Sequence, residues 1–371
     1  MNDKELLFSL VRSSVWGGKP DTDDIPQDLI KPLLQLAQKQ TVKGLVAESL
    51  MRNGIRLYRE DAYNVFNFHR ELSRTNFRMF DMVKALCRLL ESHGIRFCVV
   101  KGQTISALYR VCDMRTPGDI DFYCDASSFE QAKHILQEQW QVEFEEEDED
   151  GEQHLAFTYQ GVLFEMHYRL MHFASTSNQK IFDDYLHSIP YHHLLIDDVR
   201  VPILSPELNV VYTFLHLYHH LLEMGVALRQ FCDVAVLLNH YRLDTAILKE
   251  MLTRLGFLRA FTAVGAVLVD QLGLPERQFP FPITKKDRHY SRLILDIVFK
   301  HGNFGKYNRK YASRSGVAYY FESFFIKLSH YRKLFSLSSK ENKAVLFYSI
   351  PRKIKLSFQR LQKSSSVFDK A

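Results

Sequence analysis

At Gly94 the hydrophobic period of the chain changes. Upstream, Val65, Phe68, Leu72, Met79, Val83, Leu86 and Leu90 recur at three-, four- and seven-residue steps. That is one apolar stripe on a long helix, closed by His93 and a C-capping Gly94. Immediately downstream, Ile95-Arg96-Phe97-Cys98-Val99-Val100 is short, apolar and β-branched, the pattern of a buried strand. Both periods must therefore be accommodated in one chain, which predicts an α+β fold.

The remaining pattern follows the same logic. Thr104 to Arg110 reads as a short helix, and Thr116-Pro117-Gly118 as a turn. Asp119 to Tyr123 alternates as a strand does. Ser127 with Glu130 has the form of a capping box, opening a helix over residues 129–139. Strands are predicted around His154–Tyr159 and Gly161–Tyr168, with Gly161 in the turn between them. The acidic run Glu145 to Asp150 reads as a solvated loop. Beyond Pro202 the chain turns helical again. Ser205-Pro206 is an N-cap with Pro at the first helical position, and the pattern runs on through Leu208, Val211, Tyr212, Leu215, Tyr218 and Leu222. Further helices are expected over 229–238, 245–272 and 286–299, with a loop over 302–316. The organisation predicted is a helical region 1–94, a core 95–202 and a helical region 203–371 with a basic tail.

Composition narrows the function classes. With 371 residues, 46% of them hydrophobic, the chain has ample material for a core. The net charge of +5 does not single out nucleic acid as a partner. Cys87, Cys98, Cys112, Cys124 and Cys232 make no CxxC pair and are odd in number, which suits a reducing compartment rather than a disulfide or zinc-cysteine framework. The N-terminus carries acidic residues and no long apolar stretch, and no run is long enough to span a bilayer; the expected location is the cytoplasm.

The chemistry centres on Asp119 and Asp121. Residues at i and i+2 of a strand point to one face, roughly 7 Å apart along the backbone. Carboxylates so close repel unless a cation lies between them, and oxygen donors select magnesium or manganese. Gly102 stands after the preceding strand, where backbone N–H groups approach phosphate. Glu165 is an acid amid Val162, Leu163, Phe164 and Met166, and needs a partner there. Leu163, Glu165 and His167 share a face, with Phe164 and Met166 on the other.

The stretch Val99 to Asp125, VVKGQTISALYRVCDMRTPGDIDFYCD, followed by Val162 to Leu170, VLFEMHYRL, resembles the uncharacterised nucleotidyltransferases of the DNA polymerase beta-like superfamily. The shared pattern is a strand, Lys-Gly, a helix, an R-x-x-G-D-I-D strand, and then an acid followed by x-His. It is sharpest over 95–170, and the segment LRQFCDVAVLL resembles the same family more loosely. The resemblance implies a small mixed sheet with flanking helices, and transfer of a nucleoside monophosphate from a nucleoside triphosphate by two-metal phosphoryl transfer. Asp119 and Asp121 would bind both ions, and Glu165 would complete the acceptor-side ion or serve as base. Lys101, Gly102, Thr104 and Arg115 would contact the nucleotide, and His167 would orient Glu165 or touch substrate. Two departures stand out: Gln103 follows Gly102 where the superfamily has Ser, and the interval from Gly102 to Asp119 is longer than usual.

Alternatives accompany several residues. Lys101 also fits a strand-end surface lysine, and Arg115 a pairing with Asp113. His216, His219 and His220 have partial metal spacing but no HExxH pattern, so they read as structural or substrate-contacting. Arg229 and Asp233, four apart, read as an intrahelical ion pair or as part of an active-site wall. Gly302 to Lys306 lacks the P-loop form. The tail, with Lys343, Arg352, Lys353, Lys355, Arg360 and Lys363, fits either an anionic surface or a helix packed on its own domain. Two rivals to the enzyme remain open: a non-catalytic nucleotide-binding or interaction protein retaining the fold, and an enzyme extending nucleic-acid ends.

Overall fold

A computed structural model describes residues 2–22, 24–145, 154–223, 225–305, 307 and 317–351. Four N-terminal helices, α1 (Asp3–Trp16), α2 (Gln27–Lys39), α3 (Lys43–Arg52) and α4 (Arg59–Ser92), precede the sheet region. That region contains β1 (Phe97–Val100), α5 (Gly102–Ser106), β2 (Ile120–Cys124), α6 (Phe129–Trp140), β3 (His154–Tyr159) and β4 (Val162–His167). Helix α7 (Thr176–Ser188) leads to a hairpin, β5 (His192–Ile196) and β6 (Val199–Ile203). Then come α8 (Pro206–Glu223), α9 (Leu228–His240), α10 (Thr245–Leu255), α11 (Leu258–Asp270), α12 (Lys285–His301), α13 (Val317–Leu334) and α14 (Ser339–Ala344).

The α+β expectation holds, and the main sheet is small and mixed. Its order is β1-β2-β4-β3, with β2 and β4 parallel and the two outer pairings antiparallel. Strand alternation sorts the side chains. Phe97, Val99, Ile120, Phe122, Cys124, Phe157, Phe164 and Met166 go into one core, shared with Val83, Leu86 and Leu90 of α4 and Ala132 and Leu136 of α6. Cys98, Val100 and Tyr123 go into the other, shared with α1, α8, α9 and α11. Each fully buried Phe contributes on the order of 1.5–3 kcal/mol. Helix α4 serves both cores: Val65 and Leu72 lie in the helical one, Met79 to Leu90 in the one under the sheet. Its apolar stripe is the predicted one, and Gly94 follows its cap at φ +68°.

Several local expectations need correction. The capping box at Ser127 does not form; Ser127 Oγ donates to Asp125 Oδ1 at 2.6 Å, and Asp125 also accepts the Ser128 amide. The helix starts at Phe129 with Ser128 at the N-cap, so Ser127 stands one residue too early to cap it. The Ser205 hydroxyl has no partner among the described residues, so α8 starts without a side-chain cap from it. The β5–β6 hairpin was not anticipated. Its turn is tied to α4 by Lys84–Asp197 at 2.8 Å and Arg88–Asp198 at 2.9 Å. The acidic run 146–150, most of the loop 302–316 and the tail residues from Arg352 onward lie outside the described residues. All five cysteines are unpaired, and no described helix is long and apolar enough to cross a membrane.

Candidate functional site

The polar face of the sheet opens onto a cavity of about 480 Å³. Strand register builds its floor. Asp121 pairs directly with Glu165 across parallel β2 and β4, and alternation puts both on the face away from Phe122 and Phe164. Asp119 stands just before β2 and lines the same cavity. So do Lys101, Gly102, Arg115 and His167. The three acids thus line one cavity together with the turn after β1, although among the described residues their oxygens are not a group converging within 4.8 Å.

That turn is conformationally constrained. Lys101 has φ +55° and Gly102 φ +44°, both left-handed. A Cβ on Gly102 would stand 3.3 Å from the Asp119 carbonyl, so glycine suits both the dihedral and the close approach. Non-glycine residues hold such a conformation only where the surroundings enforce it. Here Lys101 is pinned by its side chain: Nζ lies 2.9 Å from Asp121 Oδ1 and 5.8 Å from the centre of the Tyr212 ring. Burial disfavours the ammonium charge, but Asp121, Tyr212 and Asp119 outweigh it and hold its pKa above the ordinary lysine range.

Asp121 also accepts a hydrogen bond from His167 Nε2 at 2.8 Å. Burial would raise its pKa; Lys101 and His167 reverse this and hold it well below the carboxylate range. Asp119 goes the other way. Burial, then the charges of Asp121 and Glu165, push it up to about 6 against the pull of Lys101. Glu165 lies between two imidazoles, with His167 Nε2 at 3.4 Å from Oε2 and His154 Nε2 at 3.5 Å from Oε1. Among the described residues, His154, Glu165 and His167 are the group whose donor atoms converge as metal ligands do, all within 4.8 Å of one another.

His154 was missed. The signal was countable: a two-residue turn at Gln160-Gly161 pairs Tyr159 with Val162, and stepping back along both strands pairs His154 with His167. Other residues sit differently from their sequence-level alternatives. Arg115 does not pair with Asp113. It makes a buried two-pronged bond to Asp233, Nε to Oδ1 at 2.7 Å and Nη2 to Oδ2 at 2.8 Å, and Tyr109 donates to the same carboxylate. Asp113 instead accepts from Ser73. Because Asp233 is so occupied, the intrahelical Arg229–Asp233 pair does not form; Arg229 Nη1 reaches the Thr116 carbonyl at 2.8 Å and lines the cavity. Thr104 is not brought to the cavity, for its hydroxyl donates to the Lys101 carbonyl at 2.6 Å. Gln103 is buried and donates to Asn76 on α4 at 3.2 Å.

The remaining wall comes from α8 and the segment after β4. Leu170, Met171, His172, Tyr212, His216, His219 and His220 all line it. His216 and His220 meet Nε2 to Nε2 at 3.1 Å, one donating and the other accepting. Burial, with nearby positive charge, holds His216 well below its ordinary pKa and His220 at about 3, so both are neutral at physiological pH.

Comparison with known proteins adds to this geometry. A family model described as an uncharacterised nucleotidyltransferase matches residues 27–272. No curated protein matches the chain. Among solved structures, the chain is similar to an antigenic nucleotidyltransferase-like protein from Paracoccidioides brasiliensis, with 18% sequence identity and a TM-score of 0.34, covering 53% of this chain and 92% of that one.

Proposed function

Because the chain belongs to the uncharacterised nucleotidyltransferase family, we propose that it moves a nucleoside monophosphate from a nucleoside triphosphate to an acceptor hydroxyl. The observation carrying this reading is the direct register pairing of Asp121 with Glu165, with Asp119 lining the same cavity beside the Lys101–Gly102 turn. These carboxylates fit a hard divalent cation: all three are oxygen donors, and they come from adjacent strands to one cavity. Bound there, magnesium or manganese would neutralise triphosphate charge and acidify the acceptor hydroxyl.

The chain's own groups divide the remaining work. Lys101 brings a buried positive charge to the glycine turn, and Arg229 adds a second to the cavity wall, so both attract phosphate oxygens. Arg115 supports that wall through Asp233. The acceptor oxygen attacks the α-phosphorus, the bond to the bridging oxygen breaks, and pyrophosphate leaves. The acceptor proton passes to Glu165, which His167 positions from 3.4 Å. Residues 95–202 form the transferase unit in this reading, and 203–371 supply the α8 and α9 part of its cavity wall. A sugar, a small metabolite or a protein hydroxyl each suits the acceptor role, and the cytosol suits the free cysteines.

One observation favours a second reading, a non-catalytic nucleotide-binding protein. Gln103 is turned to Asn76 and Thr104 to a carbonyl, so neither offers a hydroxyl where the superfamily places Ser. Incubation with each labelled triphosphate, magnesium and an acceptor panel separates the two. The enzyme reading expects pyrophosphate release and a labelled acceptor, with Glu165→Gln losing at least a hundredfold in transfer while keeping most triphosphate affinity. Wild-type turnover in Glu165→Gln refutes the role of Glu165; tight binding by wild type with no transfer under any combination establishes the non-catalytic reading.

A further inference from the structure

We propose that His154, Glu165 and His167 form an imidazole–carboxylate cation site that takes zinc in preference to magnesium. The role of such an ion in transfer rests on the nucleotidyltransferase reading; the site itself rests on geometry. His154 and His167 are direct cross-strand partners on β3 and β4, with ring centres 4.8 Å apart, and Glu165 precedes His167 by two residues on the same face. Each Glu165 oxygen faces a different imidazole, at 3.5 and 3.4 Å. These separations exceed good N–H···O hydrogen bonds, which lie at roughly 2.7–3.2 Å. They approach the spacing of two ligands of one ion, since donors about 2.0–2.1 Å from a tetrahedral zinc stand roughly 3.3 Å from each other, and with the three donor atoms all within 4.8 Å an ion would draw them inward.

The donor chemistry points the same way. Imidazole nitrogen suits zinc and its neighbours in the first transition row, whereas magnesium keeps oxygen ligands and several waters. Three protein ligands leave one position open, and all three residues line the cavity, so that position faces the substrate space. On binding, His167 Nε2 gives its lone pair to the ion, its proton moves to Nδ1, and its hydrogen bond to Asp121 is released. Asp121 keeps Lys101 and remains available, with Asp119, to a hard cation. The two ions would thus be sorted by ligand type, oxygen on the β2 side and imidazole on the β3 side, and with zinc bound Glu165 serves the acceptor side as a ligand rather than as the base.

The test uses the full chain after chelator treatment. Zinc chloride is titrated by calorimetry in excess magnesium, and cobalt chloride is followed by visible ligand-field absorption. One zinc per chain is expected, with the affinity falling at least tenfold in His154→Gln and the cobalt bands lost. His154 is half-exposed at a strand start. Equal thermal midpoints of wild type and variant in chelator confirm that the variant is folded; His154→Asn serves if Gln is not. Equal zinc affinity in a folded variant, displacement of zinc by an equal concentration of magnesium, or no zinc binding at all overturns the site. Pyrophosphate release, measured on the same preparations, separates the two ideas. Release without zinc binding overturns the site and leaves the transferase reading standing; zinc binding through His154 with no release supports the site and counts against that reading.

Discussion

Asp233 shows how a single side chain decides what its neighbours can do. It takes both prongs of Arg115 and the hydroxyl of Tyr109 in a buried position on α9. That leaves Arg229 free of the ion pair its spacing suggests, and turned to the loop before Asp119. A buried charge whose partner is removed is strongly destabilising, because the remaining charge cannot reach water. Asp233→Asn is therefore expected to lower unfolding stability by about 3–5 kcal/mol. Adding Arg115→Met should restore part of it, since the two changes share one interaction. Denaturant midpoints for the two variants decide the matter; a loss below about 1 kcal/mol in the single variant would show the pair to be dispensable.

At the scale of elements, the packing of α12 against α13 carries a pH dependence. His330 on α13 is buried, its ring centre 5.1 Å from that of His301 on α12. Burial, then the charges of His301 and Lys333, lower its pKa from 6.5 to about 4. The unfolded chain therefore binds this proton first as pH falls. Its contribution to stability is fully present above about pH 6.5 and is lost progressively toward pH 4, by roughly 3 kcal/mol in all. His330→Phe should flatten the acid limb of the stability curve over that window relative to wild type. Urea unfolding at half-unit pH steps reads this out, and an unchanged slope between pH 6.5 and 4 would remove His330 from the account. The sheet shows a related dependence of side-chain placement on element geometry: parallel pairing of β2 with β4 sets Asp121 opposite Glu165, and a one-residue slip would turn Glu165 to the core face and Phe164 out of it.

Across the whole molecule, the cavity joins the sheet to α8 and α9, so ligand binding should stabilise the assembly that forms it. Magnesium with triphosphate at about a hundred times its dissociation constant adds about 2.7 kcal/mol to the folded state. For a chain of this size that corresponds to a melting-temperature rise of a few degrees. Asp119→Asn combined with Asp121→Asn should remove the magnesium-dependent part of the rise. The same rise in the double variant would relocate the cation away from the β2 acids.

Local pattern and spacing were enough to read the α4 stripe, the strands β1 to β4, the helices α8 and α9, and the acids Asp119, Asp121 and Glu165. Each of these depends on periodicity or on motif order, which are properties of neighbouring residues. The β5–β6 hairpin lacks a clean alternation: His192, His193 and Leu195 are exposed while their strand is held by pairing with β6 and by salt links from α4. His154 became part of the site through hairpin register, and Arg115 left its expected partner because α9 places Asp233 beside it. The Ser127 cap failed because the helix begins one residue later than the box requires, with Ser128 at its N-cap and Asp125 holding both serines. Sequence alone determined most of the elements and set Asp121 and Glu165 on strand faces away from Phe122 and Phe164, because turn, strand and helix preferences act over a few residues. Tertiary structure decided which charges meet, because partners 118 residues apart, such as Arg115 and Asp233, are chosen by packing and by the cost of leaving a buried charge unpaired.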